Sequence, residues 1–164
     1  MSFVTGAANA NTERAFRDFF AAGGLKDEVR LIEGGARPAM RAADVVLLAS
    51  GTVTLEAMLM LKPMVVAYKI SPVTAWLLRT SGVIKIDRFA LPNLLADADL
   101  VPELLQEHAN GPELGAAILA QLNAASGQTD LLKRFAELGD LLRCSASASA
   151  ATTVIALLES RHQA

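Results

Sequence analysis

The stretch that most constrains the fold of this chain is Val45-Val46-Leu47-Leu48, an unbroken aliphatic run that leads through Ser50-Gly51-Thr52 into a helix-forming segment, Val53 to Leu61. Four aliphatic residues without polar alternation suit a strand buried on both faces, as strands are in a parallel sheet. Pro63 then opens a second apolar run, Met64 to Ala67. Strand, turn, helix and strand in that order make a parallel βαβ arrangement, so the expected fold class is α/β, a partial Rossmann-like parallel sheet followed by helices.

The flanking segments extend this pattern. Met1-Ser2-Phe3-Val4-Thr5 reads as a strand already inside such a sheet. Asn11 to Ala22 reads as a helix with Phe16, Phe19 and Phe20 on one side, ended by Gly23-Gly24. Val29 to Ile32 is a short strand, Gly34-Gly35 a loop and Arg37 to Ala43 a brief helix. Beyond Pro72 the spacing predicts helices over Val73 to Thr80, Leu100 to Glu107, Pro112 to Asn123, Leu131 to Leu142 and Ala146 to Ser160. The expected organisation is a βα core over residues 1–68 and a mainly helical part over 69–164. A doubly wound nucleotide-binding domain ordinarily begins with its first strand and a phosphate-facing loop. Because Met1 opens on a strand of the interior kind, the front of the domain is expected to be absent from these residues.

Composition sets the outer limits. With 164 residues the chain suffices for one ordinary domain, and 52% apolar against 20% charged residues excludes disorder as its main state. Aromatics are only 5%, so core volume must come from aliphatic side chains and Ala, which favours close helix packing. Cys144 is the sole cysteine, which excludes an internal disulfide framework or a cysteine-rich zinc site and fits a reducing, cytoplasmic setting. Met1 to Phe16 lacks the apolar core of an export signal, and the uncharged run Cys144 to Leu158 is shorter than the roughly 20 apolar residues of a spanning helix. The net charge of −2 divides as 0 over residues 1–44, +3 over 45–93 and −5 over 94–164. A locally basic middle third suits a phosphorylated small molecule or an anionic surface; duplex nucleic acid, which calls for a dense Lys/Arg face, is not an expected partner.

Chemistry concentrates in Ala49-Ser50-Gly51-Thr52-Val53-Thr54-Leu55-Glu56. A turn of small residues at the carboxyl end of a buried strand is where open parallel sheets bind ligands. The first amides of the following helix are unpaired and the macrodipole is positive there, so backbone donors with the Ser50 and Thr52 hydroxyls can hold a phosphate. Glu56, one turn further in, can accept two hydrogen bonds from a vicinal diol such as a ribose. Phosphate and diol together describe a nucleotide. The alternative is that Ser50 or Thr52 merely caps the helix and Glu56 is a solvated acid, and spacing alone leaves both open. No GxGxxG or GxxxxGK[ST] loop is present. There is no Asp-x-Asp pair, and His108 and His162 stand in helix-end contexts suited to solvated side chains, so no metal and no cofactor are expected.

Four blocks in order carry a family resemblance: Ala43 to Glu56, Pro63 to Tyr68, Leu91-Pro92-Asn93-Leu94-Leu95-Ala96, and Leu100 to Glu107. They closely resemble the C-terminal part of bacterial lipid A disaccharide synthases, and weaker similarity runs from Asn9 to Arg143-Cys144. The resemblance implies the two-domain glycosyltransferase B fold. It also implies transfer of a diacylated glucosamine from UDP-2,3-diacylglucosamine to lipid X, with release of UDP. On that reading Ser50, Gly51 and Thr52 meet the diphosphate, Glu56 meets the ribose, and Ile32, at the end of the preceding strand, borders the uracil. Asn93 matches a position implicated in activity; closing a turn after Pro92 is its alternative role.

The departures from the family are specific. Family enzymes are more than twice this long, and their N-terminal domain, the expected source of the general base and of most of the acceptor site, has no counterpart here. The Gly-Ser-Arg turn expected at the start of the C-terminal domain is missing, and Asp87-Arg88-Phe89-Ala90 stands where a short Val-Ser is commoner. The chain thus reads as an incomplete nucleotide-sugar-binding domain, which makes a separate N-terminal half or a homodimer a candidate partner. Because the implied substrates are acylated, Val73, Trp76, Leu77 and Leu78, flanked by Lys69, Arg79 and Lys85, are candidates for contact with an anionic membrane face; packing against the sheet or a partner subunit is the alternative. Two other functions stay open: a UDP-sugar 2-epimerase, which shares a Ser-Gly-plus-Glu site but not the Leu-Pro-Asn-Leu-Leu-Ala block, and a truncated non-catalytic binding module.

Overall fold

In the computed structural model, residues 1–7, 9–32, 34–71, 88–124, 127–143, 150–156 and 158 are described. Among these residues every strand pair is parallel, as the aliphatic runs suggest, but the strands form two sheets. The first joins β1 (Phe3–Gly6) to β2 (Val29–Ile32), with Phe3 opposite Val29 and Gly6 opposite Ile32. Helix α1 (Ala10–Ala22) connects them. It starts where the Asn9 side chain accepts the Thr12 N–H at 2.9 Å. It ends at Gly23, and the next residue, Gly24, takes φ 69°.

The second sheet has the order β3 (Val46–Ala49), β4 (Met64–Tyr68), β5 (Glu103–Leu105). Val46 faces Met64 and Val66 faces Glu103. Helix α2 (Ala36–Ala42) leads from β2 to β3, and α3 (Thr52–Leu59) from β3 to β4. Helix α4 (Leu91–Ala96) precedes β5, and a 3-10 turn, Gln106–His108, follows it. Helices α5 (Gly111–Ala124) and α6 (Thr129–Leu142) come next, and residues 150–156 are again helical.

The core lies on the second sheet. Met64, Val65 and Val66 of the central strand β4 are fully buried. Ala57 and Met58 of α3, Phe135 and Leu138 of α6, Ala90, Val101 and Met40 of α2 join Met64 and Val66 in one cluster. The first sheet has no comparable core. None of α1 is buried, and its Phe16 and Phe20 stack on each other at 5.7 Å.

Two expectations for the second half need correction. Leu100 to Glu107 is not a helix: Glu103–Leu105 is a strand and Gln106–His108 a 3-10 turn. Leu100, Val101, Leu104 and Leu105 fit a helical stripe as well as a short strand, and the edge of β4 decides between them, its Val66 N–H reaching the Pro102 carbonyl at 2.9 Å. Leu91 to Ala96, read as a block with a turn, is a helix with Pro92 in its first turn, where its missing N–H is harmless. The helix expected over Val73 to Thr80 lies outside the described residues, as does much of the one expected over Ala146 to Ser160.

Candidate functional site

The chain leaves β3 at Ala49 and turns through Ser50 and Gly51 into α3. Gly51 takes φ 138° and ψ −167°, a backbone state that strains any residue with a Cβ. A Cβ built there would nevertheless find no atom within 4 Å, so space is open above the turn. Neither hydroxyl caps the helix: Gly51 is the cap residue, with no side-chain cap bond. Ser50 Oγ instead donates to the Phe89 carbonyl at 2.9 Å. Thr54, fully buried, donates to the Gly51 carbonyl at 2.7 Å and accepts the Leu91 N–H at 3.3 Å. These bonds tie the turn to residues 89–91, while Gly51 and Thr52 remain exposed at the helix start. The Tyr68 ring, at the carboxyl end of β4, stacks on Phe89 at 6.0 Å.

Glu56, one turn into α3, accepts from Arg37 Nε at 2.7 Å. The hydrogen bond and the charge of Glu56 raise the Arg37 pKa above its ordinary value, so the guanidinium stays charged. The side chains are 71% (Arg37) and 38% (Glu56) exposed. An exposed pair of this kind is screened by solvent and contributes little, so a ligand that hydrogen-bonds Glu56 can displace Arg37. Arg37 lies in the first turn of α2, directly after Gly34-Gly35. The Gly35 carbonyl abuts Gly6 so closely that a Cβ on Gly6 would overlap it. The loop after β2 is therefore packed against the carboxyl end of β1. Ile32 is half-buried at the end of β2, and its carbonyl accepts the Ala7 N–H at 3.3 Å.

Asn93 sits in α4 and is 1% exposed. Its Nδ2 donates to the Val101 carbonyl at 2.9 Å and to Glu103 Oε1 at 2.7 Å, and its Oδ1 accepts the Leu100 and Val101 N–H groups at 2.8 and 2.9 Å. The whole amide is thus engaged within the chain. Glu103 also accepts the Phe89 and Ala90 N–H groups at 2.7 and 3.0 Å. Asn93 and Glu103 therefore hold in place the segment that bonds Ser50 and Thr54.

Of the expected residues, Ser50, Gly51, Thr52 and Glu56 lie at or within one turn of the start of α3, Ile32 ends β2 with no hydrogen bond to any of them, and Asn93 is linked to the turn through Glu103 and residues 89 and 90. Sequence reasoning passed over Arg37, Thr54 and Glu103. Thr54 stands inside the run Ala49 to Glu56, though its burial was not visible there; the Arg37–Glu56 and Glu103–Phe89 contacts span 19 and 14 residues and left no signal. His108 is exposed and pairs with Glu113 at 2.8 Å. Among the described residues no group of three His, Cys, Asp or Glu side chains is placed to hold a metal. Lys69 is described, while Val73, Trp76, Leu77, Leu78, Arg79, Lys85, Cys144 and His162 lie outside the described residues.

The profile of the family described as lipid-A-disaccharide synthetase matches residues 1–154. The chain belongs to that family. A lipid-A-disaccharide synthase of Xylella fastidiosa (strain M23) is 50% identical over 131 residues, 80% of this chain and 34% of that relative. Proteins of the same name from Xanthomonas oryzae pv. oryzae (strain MAFF 311018) and Xanthomonas campestris pv. campestris (strain 8004) are 50% and 49% identical over the same length, each covered to 30%. The chain spans about a third of the length of these curated relatives. Ile32, Ser50, Gly51, Thr52, Glu56 and Asn93 all fall inside the region that the lipid-A-disaccharide synthetase profile matches. No helix among the described residues is long and apolar enough to cross a membrane.

Proposed function

We propose that these residues are the donor-binding part of a lipid A disaccharide synthase, a portion of its C-terminal nucleotide-sugar-binding domain. The donor is UDP-2,3-diacylglucosamine, and its diacylglucosamine passes to lipid X with release of UDP. The observation that carries the reading is the exposed, glycine-dependent turn at the carboxyl end of β3, with a carboxylate one helical turn further in. Amides at the start of α3 and the Thr52 hydroxyl receive the diphosphate and stabilise the charge that builds on it as the glycosidic bond breaks. Ribose hydroxyls take the place of Arg37 on Glu56, and the released guanidinium is then available to the diphosphate. Ser50 fixes the turn through Phe89, Ile32 borders the base, and Asn93 positions the site through Glu103. The general base that deprotonates the lipid X hydroxyl belongs to a part of the enzyme outside these residues. Both substrates carry acyl chains, which places the reaction at the cytoplasmic face of the inner membrane.

Calorimetric titration with UDP tests this. Glu56→Gln is expected to weaken binding by about 1–3 kcal/mol, the scale of charged hydrogen bonds to a diol. Equal affinity in both proteins, or no UDP binding by the unaltered chain, would overturn the assignment.

A further inference from the structure

Arg37 and Glu56 have only each other. Among the described residues the Arg37 side chain bonds Glu56 alone, through Nε at 2.7 Å, and the Glu56 carboxylate accepts from no other group. The pair is made side-on: Nη1 and Nη2, the fork that grips an anion with two parallel bonds, make no hydrogen bond among these residues, and Glu56 Oε1 is likewise open. The backbone that carries Arg37 is held. Met40 of the same helix is buried in the core, and Lys62 Nζ donates to the Arg41 and Ala43 carbonyls at 2.9 Å, which closes the far end of α2. At the near end the Gly35 carbonyl presses against Gly6. Motion is left to the Arg37 side chain itself, which is 71% exposed.

The position of that side chain matters for what the site can bind. A vicinal diol uses both oxygens of a carboxylate, and Arg37 holds one of them, Oε2. A ligand with a diol and no charge must therefore break the ion pair and leave the guanidinium in water with nothing in exchange. A ligand with a diphosphate beside its diol gives the guanidinium somewhere to go. Thr52 and Glu56 stand one turn apart on α3, about 6 Å along the axis, so a change of Arg37 rotamer carries the open fork from the carboxylate toward the exposed start of the helix.

We propose that Arg37 is a self-blocking latch on this site, a specificity residue that makes it answer to a nucleoside diphosphate and resist the bare nucleoside. This deepens the donor-site reading and rests on it. When UDP enters, one ion pair is exchanged for another: the ribose takes Glu56 and the diphosphate takes the guanidinium. When uridine enters, the pair is broken and not replaced. Ionic strength separates the two cases. The Arg37–Glu56 pair is exposed, so salt screens it and loosens the latch, and uridine binds better as salt rises. The pairing of UDP with Arg37 is screened too, so UDP binds less well over the same range.

NMR titration of the 164-residue chain and of Arg37→Met with uridine and with UDP tests it. Arg37→Met keeps the aliphatic stem and removes the charge and its donors, and its melting temperature should match that of the unaltered chain, because only an exposed pair is lost. Uridine should bind the variant about two- to threefold more tightly, with its salt dependence gone, and UDP about tenfold more weakly. Arg37→Lys, which keeps a charge without the fork, should recover part of the UDP affinity. In a Glu56→Gln background, Arg37→Met should no longer tighten uridine, as expected if the two residues act as one unit. Uridine bound no more tightly by Arg37→Met, or UDP bound as well as before, would refute the latch; if Glu56→Gln still weakens UDP, the donor-site assignment stands without it. No UDP binding by the unaltered chain would overturn both.

Discussion

Asn93 has almost no access to solvent, yet through Glu103 it is tied to residues 89 and 90 beside the exposed turn at Ser50. Its amide offers two donors and two acceptor positions, and all four are used, on Leu100, Val101 and Glu103. Asn93→Leu keeps the volume but strands two buried N–H groups and a carbonyl, and takes one partner from Glu103. The expected loss is about 3 kcal/mol of folding stability, read from the urea midpoint at unchanged slope. At this scale the turn was legible in the amino-acid order, because Ser50, Gly51, Thr52 and Glu56 are neighbours on one helix start. Partners were not. Arg37 reaches Glu56 from another helix, and Ser50 spends its hydroxyl on Phe89, 39 residues away.

Among the elements, local chemistry set the ends of helices more clearly than it set the identity of short apolar runs. Helix α5 is preceded by Asn110, whose Oδ1 accepts the Glu113 N–H at 3.1 Å as an N-cap does, while its Nδ2 donates to Glu113 Oε1 at 2.7 Å. Bonds from Asn110 and then His108 hold the Glu113 carboxyl below the usual carboxylate range. A lowered folded-state value means a contribution that is present above the unfolded value and is lost as pH falls through the folded one. NMR titration should find Glu113 protonating below that usual range, with fraying of the first turn of α5 as it does so, and Asn110→Ala should move the titration upward. Strand β5 shows the opposite case. Leu100 to Glu107 carries a helix-compatible stripe, and only the unpaired edge of β4, together with Glu103 bonding back to residues 89 and 90, makes it a strand.

For the molecule as a whole, burial is lopsided. Phe135, Met58, Met64, Val65 and Val66 are fully covered, whereas β1, β2 and α1 contribute no buried side chain. Global stability must therefore reside in the second sheet with α3 and α6. In the 164-residue chain, exchange should be slowest for amides of β4, α3 and α6, and the first sheet should open at much lower free energy. Uniform protection across both sheets would contradict this. Sequence by itself determined that the strands are parallel and where the glycine turn into α3 lies, because aliphatic runs, a glycine and a helix start act within a few residues of one another. Only the tertiary structure decided that those strands divide into two sheets, that Leu100 to Glu107 extends one of them and that Arg37 meets Glu56. Each of those outcomes depends on which distant edge or charge is left without a partner once the core has closed.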